Sequence, residues 1–326
     1  MLEKLNYHLK RIGVLLSMAA LIAGMAGCPG GYNPPPSENL EIRTWYDLDA
    51  IRDNLEGNHT LMNDLNSTTA GYEELAGPTA NGGKGWYPIG IFSEGGVMRF
   101  TGSLDGQGHQ ICDMFINRPF PEAPDNGLGI GLIGVLGQAG VVQNIGVVNV
   151  TVTGDGFVGA VVGASYGIIS NSYSTGNVTG VHYVGGLAGS IESYATVNNS
   201  YSTGNVTGVY YVGGLVGALG SSLGTLGGTV SDSYSIGIVT GNSSVGGLVG
   251  RNDYYGTASD SFWDTETSGQ NISAGGVGKN TTEMQDVITF SGAAWNITAV
   301  ALNETDPAYI WNIVSNVTYP FLSWEP

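Results

Sequence analysis

Carboxylate side chains are the first candidates for chemistry in this chain of 326 residues. Asp105 and Asp113 form one group, and a second group consists of Asp260, Asp264 and Glu266. A glycosidase needs two carboxylates about 5 to 9 Å apart in a cleft, and calcium takes several oxygen ligands. Between Arg118 and Arg251 there is no Lys or Arg to bind an acidic sugar. We therefore expect a non-enzymatic role, with no catalytic residue, metal or cofactor, and polysaccharide cleavage is the alternative. Binding of calcium near the second group stays open.

Other motifs for chemistry are incomplete. Gly129–Gly134 matches the dinucleotide pattern G-x-G-x-x-G, but that pattern has to open a helix after a strand, and here it lies in a repeat of β type. Gly278 and Lys279 lack two defining positions of a phosphate-binding loop, and the four histidines form no H-E-x-x-H zinc motif. Cys112 lies in a run of alternating apolar residues, which predicts a packed thiol.

The composition is rich in glycine and poor in charge. There are 54 Gly, 42% of the residues are hydrophobic and 11% are charged. Gly costs about 1 kcal/mol in a helix interior, which argues against long helices, and its clustering excludes the strict period of collagen. The formal net charge of −17 argues against nucleic acid as a partner, because nucleic acids are bound by basic surfaces. These features indicate β-structure with many tight turns.

The N-terminus has the order of a secretory signal, predicted for residues 1–27. Basic residues within 4–11 precede an uncharged apolar run at 12–26, as in exported proteins. Met25–Cys28 resembles a lipobox, which makes Cys28 the predicted lipidation site and the Pro/Gly-rich residues 28–39 a tether. Ordinary cleavage and a retained helix are the alternatives, although about 15 apolar residues fall short of the roughly 20 in a membrane span. Lipidation predicts a membrane-anchored protein on the extracellular face of the cell envelope.

An internal repeat dominates the middle of the chain. Asn171–Gly180 recurs unchanged as residues 199–208 and in altered form as 232–241, and each copy leads into a Val-Gly-Gly-Leu-hydrophobic-Gly block. With two worn upstream copies, the central apolar positions are Leu132, Val161, Leu187, Leu215 and Leu248. Residues alternate with the strand period of two rather than the helix period of 3.6. A unit of 26 to 33 residues predicts one coil of a solenoid.

Stacked coils bring equivalent residues into register at the ~4.8 Å strand spacing. We therefore predict an all-β fold, a right-handed parallel β-helix of about five or six coils with small helical or strand caps. The predicted ladders are Tyr173/Tyr201/Tyr234/Phe262, Val178/Val206/Val239, Val184/Val212/Val245 and Leu187/Leu215/Leu248.

The sequence also predicts the parts that flank the solenoid. The expected order is an N-terminal cap region at 40–96, the β-helix at 97–263 and a C-terminal capping segment at 264–326. Thr44 is expected to begin one short helix, and Thr281 or Thr282 another. Because the open end of a solenoid exposes strand edges and core, large covers are expected there; the candidates are Trp295, Trp311 and Trp324.

At Gly186–Gly189, Gly214–Gly217 and Gly247–Gly250 the chain resembles the GLUG-repeat family, named for the signature Gly-Leu-hydrophobic-Gly and found in prokaryotic surface proteins. Gly131–Gly134 also fits, whereas the copy at 160–163 departs from the signature. The resemblance implies a β-helix at the cell surface, with adhesins and regions of IgA-cleaving metallopeptidases among its members. It implies no catalytic site within the repeats.

We therefore expect a non-enzymatic, envelope-anchored repeat protein that works in adhesion or another cell-surface interaction. Its neutral faces, rich in Tyr, Ser, Thr and Asn, suit contact with surface glycans or proteins. The candidate ligand contacts are His182, Tyr183, Tyr210 and Tyr211, which precede Val-Gly-Gly in two copies. The alternatives are that these rings only pack on the next coil, that the protein is a polysaccharide-active enzyme, or that it is a spacer without a ligand.

Asn-x-Ser/Thr sequences are over-represented, with twelve copies against roughly four expected by chance. In an exported protein they are acceptors for N-glycosylation, but Asn-Val-Thr-Gly is also a good strand-to-turn sequence. Both interpretations stay open from the sequence. The asparagines are Asn58, Asn66, Asn149, Asn177, Asn198, Asn205, Asn242, Asn271, Asn280, Asn296, Asn303 and Asn316.

Overall fold

The computed structural model describes residues 39–93, 96–119, 129–220, 226–253 and 255–325. The predicted signal, Cys28 and all but the last residue of the predicted tether lie outside the described residues. Over the ranges that are described, no helix has the length and apolar character needed to cross a membrane.

Short strands make up most of the regular secondary structure in the described chain. In chain order they are β1 (Glu41–Ile42), β2 (Asn58–Leu61), β3 (Ile91–Ser93), β4 (Gly96–Met98), β5 (Ser103–Asp105), β6 (Gln110–Cys112), β7 (Phe115–Asn117), β8 (Ile133–Leu136), β9 (Val141–Gln143), β10 (Gly146–Thr153), β11 (Val162–Ser165), β12 (Ile168–Ser170), β13 (Tyr173–Thr179), β14 (His182–Gly185), β15 (Ala188–Ile191) and β16 (Thr196–Asn198). They continue as β17 (Tyr201–Ser202), β18 (Asn205–Thr207), β19 (Tyr210–Gly213), β20 (Val216–Leu219), β21 (Thr229–Ser231), β22 (Tyr234–Ser235), β23 (Val239–Thr240), β24 (Ser243–Gly246), β25 (Val249–Asn252), β26 (Thr257–Ser259), β27 (Phe262–Asp264), β28 (Val277–Lys279), β29 (Ile297–Ala299), β30 (Trp311–Ile313) and β31 (Phe321–Leu322).

The helices are short and lie outside the repeats. They are α1 (Trp45–Asp49), followed by a 3-10 helix (Ala50–Asp53), then α2 (Tyr72–Leu75), α3 (Ala80–Gly83), α4 (Thr265–Ser268), α5 (Thr281–Met284) and α6 (Val287–Ser291). Thr44 begins α1 as predicted, because its hydroxyl accepts from the backbone of Asp47 in a capping box. The prediction for α5 was wrong by one residue, since the amide oxygen of Asn280 accepts from the backbone of Glu283.

Four parallel sheets wind into a solenoid. Sheet 1 has the order β1-β2-β5-β9-β12-β16-β21-β26, sheet 2 has β23-β18-β13-β17-β22-β27-β28 with β10 joining β6 and β7 to β13, sheet 3 has β25-β20-β15-β11-β8, and sheet 4 has β14-β19-β24. Their pairings are all parallel. Successive strands visit the sheets in turn, as β14 to β18 do in one coil, so the fold is a parallel β-helix.

The coil number agrees with the prediction for the repeat region, and the stack continues beyond it. Residues 97–263 supply six strands of sheet 1, and β1 and β2 extend the same sheet through residues of the predicted cap region. The core lies inside the coils, where Val178, Val206 and Leu215 are at most 2% exposed.

The structure confirms the predicted ladders. The aromatic, Val178 and Val184 ladders have the expected registers. In the fourth ladder, the backbone N–H of Leu187 donates to the Leu215 carbonyl at 2.9 Å, and that of Leu215 to the Leu248 carbonyl at 3.0 Å. Residues at equivalent positions of the sequence repeats therefore lie beside one another on adjacent coils.

The aromatic ladder belongs to a second hydrophobic cluster, separate from the core of the coils. Tyr173, Tyr201, Tyr234 and Phe262 pack against residues from α5, α6 and β29 to β31. We call residues 280–325 the C-terminal strap, because this segment lies along sheet 2. At one end the Trp295 indole donates to the Asp260 carbonyl at 2.7 Å, and at the other end Trp324 lies beside Gly108.

This path corrects the expected position of the tryptophan covers. Trp295 and Trp311 pack against the aromatic ladder on the side of the solenoid rather than over its open end. The last coil is covered instead by residues just before the strap, where the Ser273 hydroxyl accepts from the backbone N–H groups of Leu248 and Val249. Contacts between aromatic rings bury large apolar areas and favour tilted arrangements such as these.

Candidate ligand-binding face

Glycines of sheet 3 leave room for the backbone of sheet 4 to approach closely. A Cβ atom added to Gly217 would lie 2.5 Å from the carbonyl carbon of Tyr183, and one added to Gly250 would lie 2.7 Å from that of Tyr211. Non-bonded carbon atoms pack at about 3.5 to 4.0 Å, so only glycine allows the two backbones to approach this closely. The final Gly of the Gly-Leu-hydrophobic-Gly block therefore allows the backbone of the candidate tyrosines to lie this close to sheet 3.

The candidate contact residues form two stacks across adjacent coils. The rings of His182 and Tyr210 are 5.1 Å apart at 16°, and those of Tyr183 and Tyr211 are 4.8 Å apart. Tyr210 is 42% exposed, whereas the other three rings are half-buried. The structure thus brings together all four residues that the sequence singled out, and it gives each of them a packing partner as well as an accessible part.

Both inner tyrosines have a backbone conformation that is unusual for bulky residues. Their φ angles are +50° for Tyr183 and +57° for Tyr211. The left-handed region costs roughly 1–2 kcal/mol for a residue with a Cβ atom, and Asn or Gly normally occupies it. Tyr183 stacks on Tyr211, and such ring contacts contribute stabilisation that opposes this cost.

Two further residues belong to the face and were not predicted. The Phe157 ring stacks on Tyr183 at 4.7 Å, and the Arg251 guanidinium lies 4.4 Å from the centre of the Tyr211 ring. Phe157 precedes Val158-Gly159 as Tyr183 precedes Val184-Gly185, so alignment of the worn copy could have found it. Arg251 gave no such signal, because the equivalent position on β20 is Ala218.

The face ends abruptly on the third coil. Ser243 lies in register with Tyr210, and Ser244 takes the place of Tyr211. The result is a platform of four rings on two coils, in which Tyr210 is exposed and the His182 imidazole is half-exposed, with Phe157 at one edge and Arg251 at the other. Ring faces with polar tips bind apolar faces and hydroxyl groups of a ligand together.

The first pair of candidate carboxylates is engaged in hydrogen bonds. Asp105 accepts from the amide groups of Gln143 at 3.1 Å and Asn144 at 3.0 Å. Asp113 accepts from the amide of Asn149 at 2.8 Å and borders a groove of about 360 Å³, where it is the only acid among the described residues that line the groove. A glycosidase pair needs a second carboxylate in the same cleft, so this groove does not provide that geometry.

The second group of acids is also built into the fold. Asp264 is buried, and one of its oxygens caps α4 by accepting from the backbone of Glu266 and Thr267. The other oxygen accepts from the hydroxyls of Thr281 at 2.7 Å and Tyr319 at 2.8 Å. In the part of the chain that the structure describes, no group of three or more His, Cys, Asp or Glu residues is placed to hold a metal ion.

The remaining candidates are separate from one another. Cys112 is half-buried, its thiol lies 3.5 Å from the Gln110 amide oxygen, and burial raises its pKa to about 11. A thiol with a raised pKa is a poor nucleophile at neutral pH. The buried His59 is bonded to backbone groups on both ring nitrogens, and burial lowers its pKa.

Comparison with known proteins identifies the repeat. Residues 180–207 match the family described as "The GLUG motif". Halomucin from Haloquadratum walsbyi is 37% identical over 162 residues, which is 49% of this chain and 2% of that protein. A protein named "Putative Gly-rich membrane protein" from Evansella cellulosilytica is 37% identical over 135 residues, 40% of this chain and 14% of that protein.

A solved structure has the same architecture. The crystal structure of a "putative immunoglobulin A1 protease" from Bacteroides ovatus superposes with a TM-score of 0.61 over 90% of this chain and 94% of that one. At 18% sequence identity this likeness concerns the fold alone. The chain thus carries a GLUG motif at residues 180–207, set in a parallel β-helix, and it is similar to short portions of much longer proteins.

Proposed function

We propose that this protein is a non-enzymatic component of the cell envelope that binds surface glycans or proteins through the platform of His182, Tyr183, Tyr210 and Tyr211. The names of two relatives, a halomucin and a Gly-rich membrane protein, support a place in the envelope. The chain spans only 2% and 14% of those proteins, so their wider roles are not carried over. Anchoring through a lipid on Cys28 is part of the proposal.

The observation that carries the proposal is the stacked pair of aromatic columns on sheet 4. The C-terminal strap covers the Tyr234 ring, which is 1% exposed, whereas Tyr210 stacks on His182 and is still 42% exposed, so part of its ring is accessible to a ligand. The positive φ of Tyr183 and Tyr211 is shared by Ser244 on the next coil, so it belongs to the repeat, and the aromatic side chains distinguish the two platform coils. The engagement of Asp105, Asp113 and Asp264 in structural hydrogen bonds supports a non-enzymatic role.

The platform is tested with the full chain on a glycan array and in whole-cell adhesion. We expect Tyr210→Ser, which copies Ser243 of the next coil, and His182→Ser to lower binding at least tenfold while unfolding as the wild type does. The matched control is Tyr194→Ser, because Tyr194 is 78% exposed at another place on the solenoid. Equal binding by all variants would reject the platform, and a wild type that binds no glycan and adds nothing to adhesion would favour the spacer.

Anchoring is tested separately by membrane fractionation. Cys28→Ala should release the protein from the membrane fraction if Cys28 is acylated. Retention of the substituted protein would reject lipidation and leave the platform unaffected.

A further inference from the structure

The structure separates the twelve Asn-x-Ser/Thr sequences into two classes. An acceptor needs both its amide nitrogen and the hydroxyl two residues later to be accessible to an enzyme. Ten of the asparagines or their hydroxyl partners are engaged in the fold. Asn177 and Asn205, for example, lie in register on neighbouring strands, and the Asn205 amide is bonded to Asn177 and to the backbone of Ile238.

In the other eight engaged sequences, a side-chain hydrogen bond likewise holds either the asparagine or the hydroxyl residue. Side-chain hydrogen bonds hold the asparagine of five and the hydroxyl residue of three. The held asparagines are Asn58, Asn66, Asn149, Asn280 and Asn296, and the held hydroxyl residues are Ser200, Ser273 and Thr318.

In the sequence that begins at Asn303, both the asparagine and the hydroxyl residue, Thr305, are accessible. Both are exposed, and among the described residues neither side chain has a hydrogen-bond partner. Asn303 lies in a turn closed by the Glu304 N–H and the Ala301 carbonyl at 3.1 Å, with φ at +65°. Next to it, Leu302 is 65% exposed, an apolar side chain that a sugar attached to Asn303 would cover.

Asn242 and Ser244 form the second free pair. Asn242 lies in the turn between β23 and β24, Ser244 lies at the start of β24, and all of 242–244 is exposed. Neither side chain is hydrogen-bonded within the described ranges, and the φ of Ser244 is +53°. On the two preceding coils the strands that follow this turn, β14 and β19, carry the platform, and the Asn242 N–H donates to the Val209 carbonyl at 3.1 Å, so a glycan on Asn242 would stand beside Tyr210.

We propose that Asn242 and Asn303 are N-glycosylated and that the ten engaged sequences are not. The co-reactant is an oligosaccharide linked to a lipid phosphate. The bond between its anomeric carbon and the phosphate oxygen breaks, a carbon–nitrogen bond to the Asn amide forms, the amide loses one proton, and the lipid phosphate leaves. The modification requires export, which belongs to the proposed function.

The test is peptide mass spectrometry on the full chain purified from the envelope of its own host. Peptides with Asn242 and Asn303 should carry a glycan mass shift, and the peptide with Asn205 should not. Thr305→Ala should abolish the shift at Asn303, whereas Thr305→Ser, which keeps the hydroxyl, should retain it. Ser244→Ala should abolish the shift at Asn242, and the matched control Ser243→Ala should retain it.

The outcomes separate this inference from the proposed function. Envelope protein with unmodified Asn242 and Asn303 overturns the inference alone. Equal modification of Asn205 overturns the selection of sites by accessibility. Protein that stays in the cytoplasm overturns both the inference and the assignment to the envelope.

Discussion

The hydroxyl of Tyr201 donates to the carboxylate of Glu325 at 2.6 Å, across 124 residues of sequence. Tyr201 is the second ring of the aromatic ladder, and Glu325 lies at the end of the C-terminal strap. The other carboxylate oxygen accepts from the backbone N–H of Leu322 at 2.5 Å. Burial raises the pKa of Glu325 to about 7, so an ionisable group closes the strap on the solenoid.

Stability should fall as the pH rises from about 4.5 to about 7. In the unfolded chain Glu325 releases its proton near its ordinary pKa of 4.5, but in the folded protein it does so at about 7. Between these values the folded state holds more protons, so the free energy of unfolding decreases with pH, by on the order of 3 kcal/mol in all, and then levels off. Urea unfolding at a series of pH values measures this.

Glu325→Gln isolates the contribution of this carboxyl. The amide does not ionise, so the stability difference between wild type and variant should change over this pH window and be constant above it. The exposed Glu304→Gln is the control and should follow the wild type. A wild-type curve parallel to that of Glu325→Gln would contradict the assignment.

Tyr234 should be the main contact that holds the strap. It is 1% exposed, stacks on Tyr201 at 4.9 Å and donates to the Pro320 carbonyl. Tyr234→Ala should cost about 3–5 kcal/mol and speed hydrogen exchange in residues 281–325. Tyr234→Phe keeps the ring and should cost only about 1 kcal/mol. Unchanged exchange in the alanine variant would show that the strap is held elsewhere.

Two buried serines of the same coil should respond differently to replacement by alanine, because the hydroxyl of Ser200 is hydrogen-bonded and that of Ser202 is not. The Ser200 hydroxyl accepts from the Ser172 N–H at 3.2 Å and donates to the Asn198 carbonyl at 2.7 Å. Ser200→Ala leaves a buried N–H without that acceptor and should cost about 1–3 kcal/mol. The hydroxyl of Ser202 is buried without a partner in the described part of the chain, so Ser202→Ala should be neutral or stabilising. Thermal unfolding of the two variants compares them directly.

Gly217→Ala should disturb both stability and the platform. The added methyl group would meet the backbone at Tyr183 and at Gly189 within 2.5 Å, and such overpacking costs about 1–3 kcal/mol. Gly269→Ala is the comparison, because there a methyl group meets no atom within 4 Å and only the φ of +69° opposes it. We expect changed tyrosine near-ultraviolet circular dichroism in Gly217→Ala alone, and its absence would contradict the close approach.

The repeats made the solenoid predictable, because a repeated segment that stacks in register has one arrangement for every copy. The aromatic and Val178 ladders followed directly from aligning the copies. The path of the strap did not, because residues 280–325 have no repeat partner and the contact between Trp311 and Tyr201 joins distant segments. A tryptophan in the sequence shows that a large apolar surface needs a partner, but not which surface it covers.

The platform was predicted in its members but not in its geometry. Equivalent positions in two copies placed His182 with Tyr210 and Tyr183 with Tyr211. The positive φ of both inner tyrosines has no sequence signal, since aromatic residues rarely adopt it. The role of the last glycine in each block likewise became visible only where sheet 3 approaches sheet 4.

The strap also changes how the solenoid should unfold. In a stack of coils each coil touches only its neighbours, so the ends fray independently and stability is a sum of local terms. Here one segment contacts Gly108, Tyr201 and Asp260, which belong to an early, a middle and the last coil of the repeat region. Loss of any of these coils therefore also costs contacts with the strap, and the coils should melt in a single cooperative transition rather than one after another.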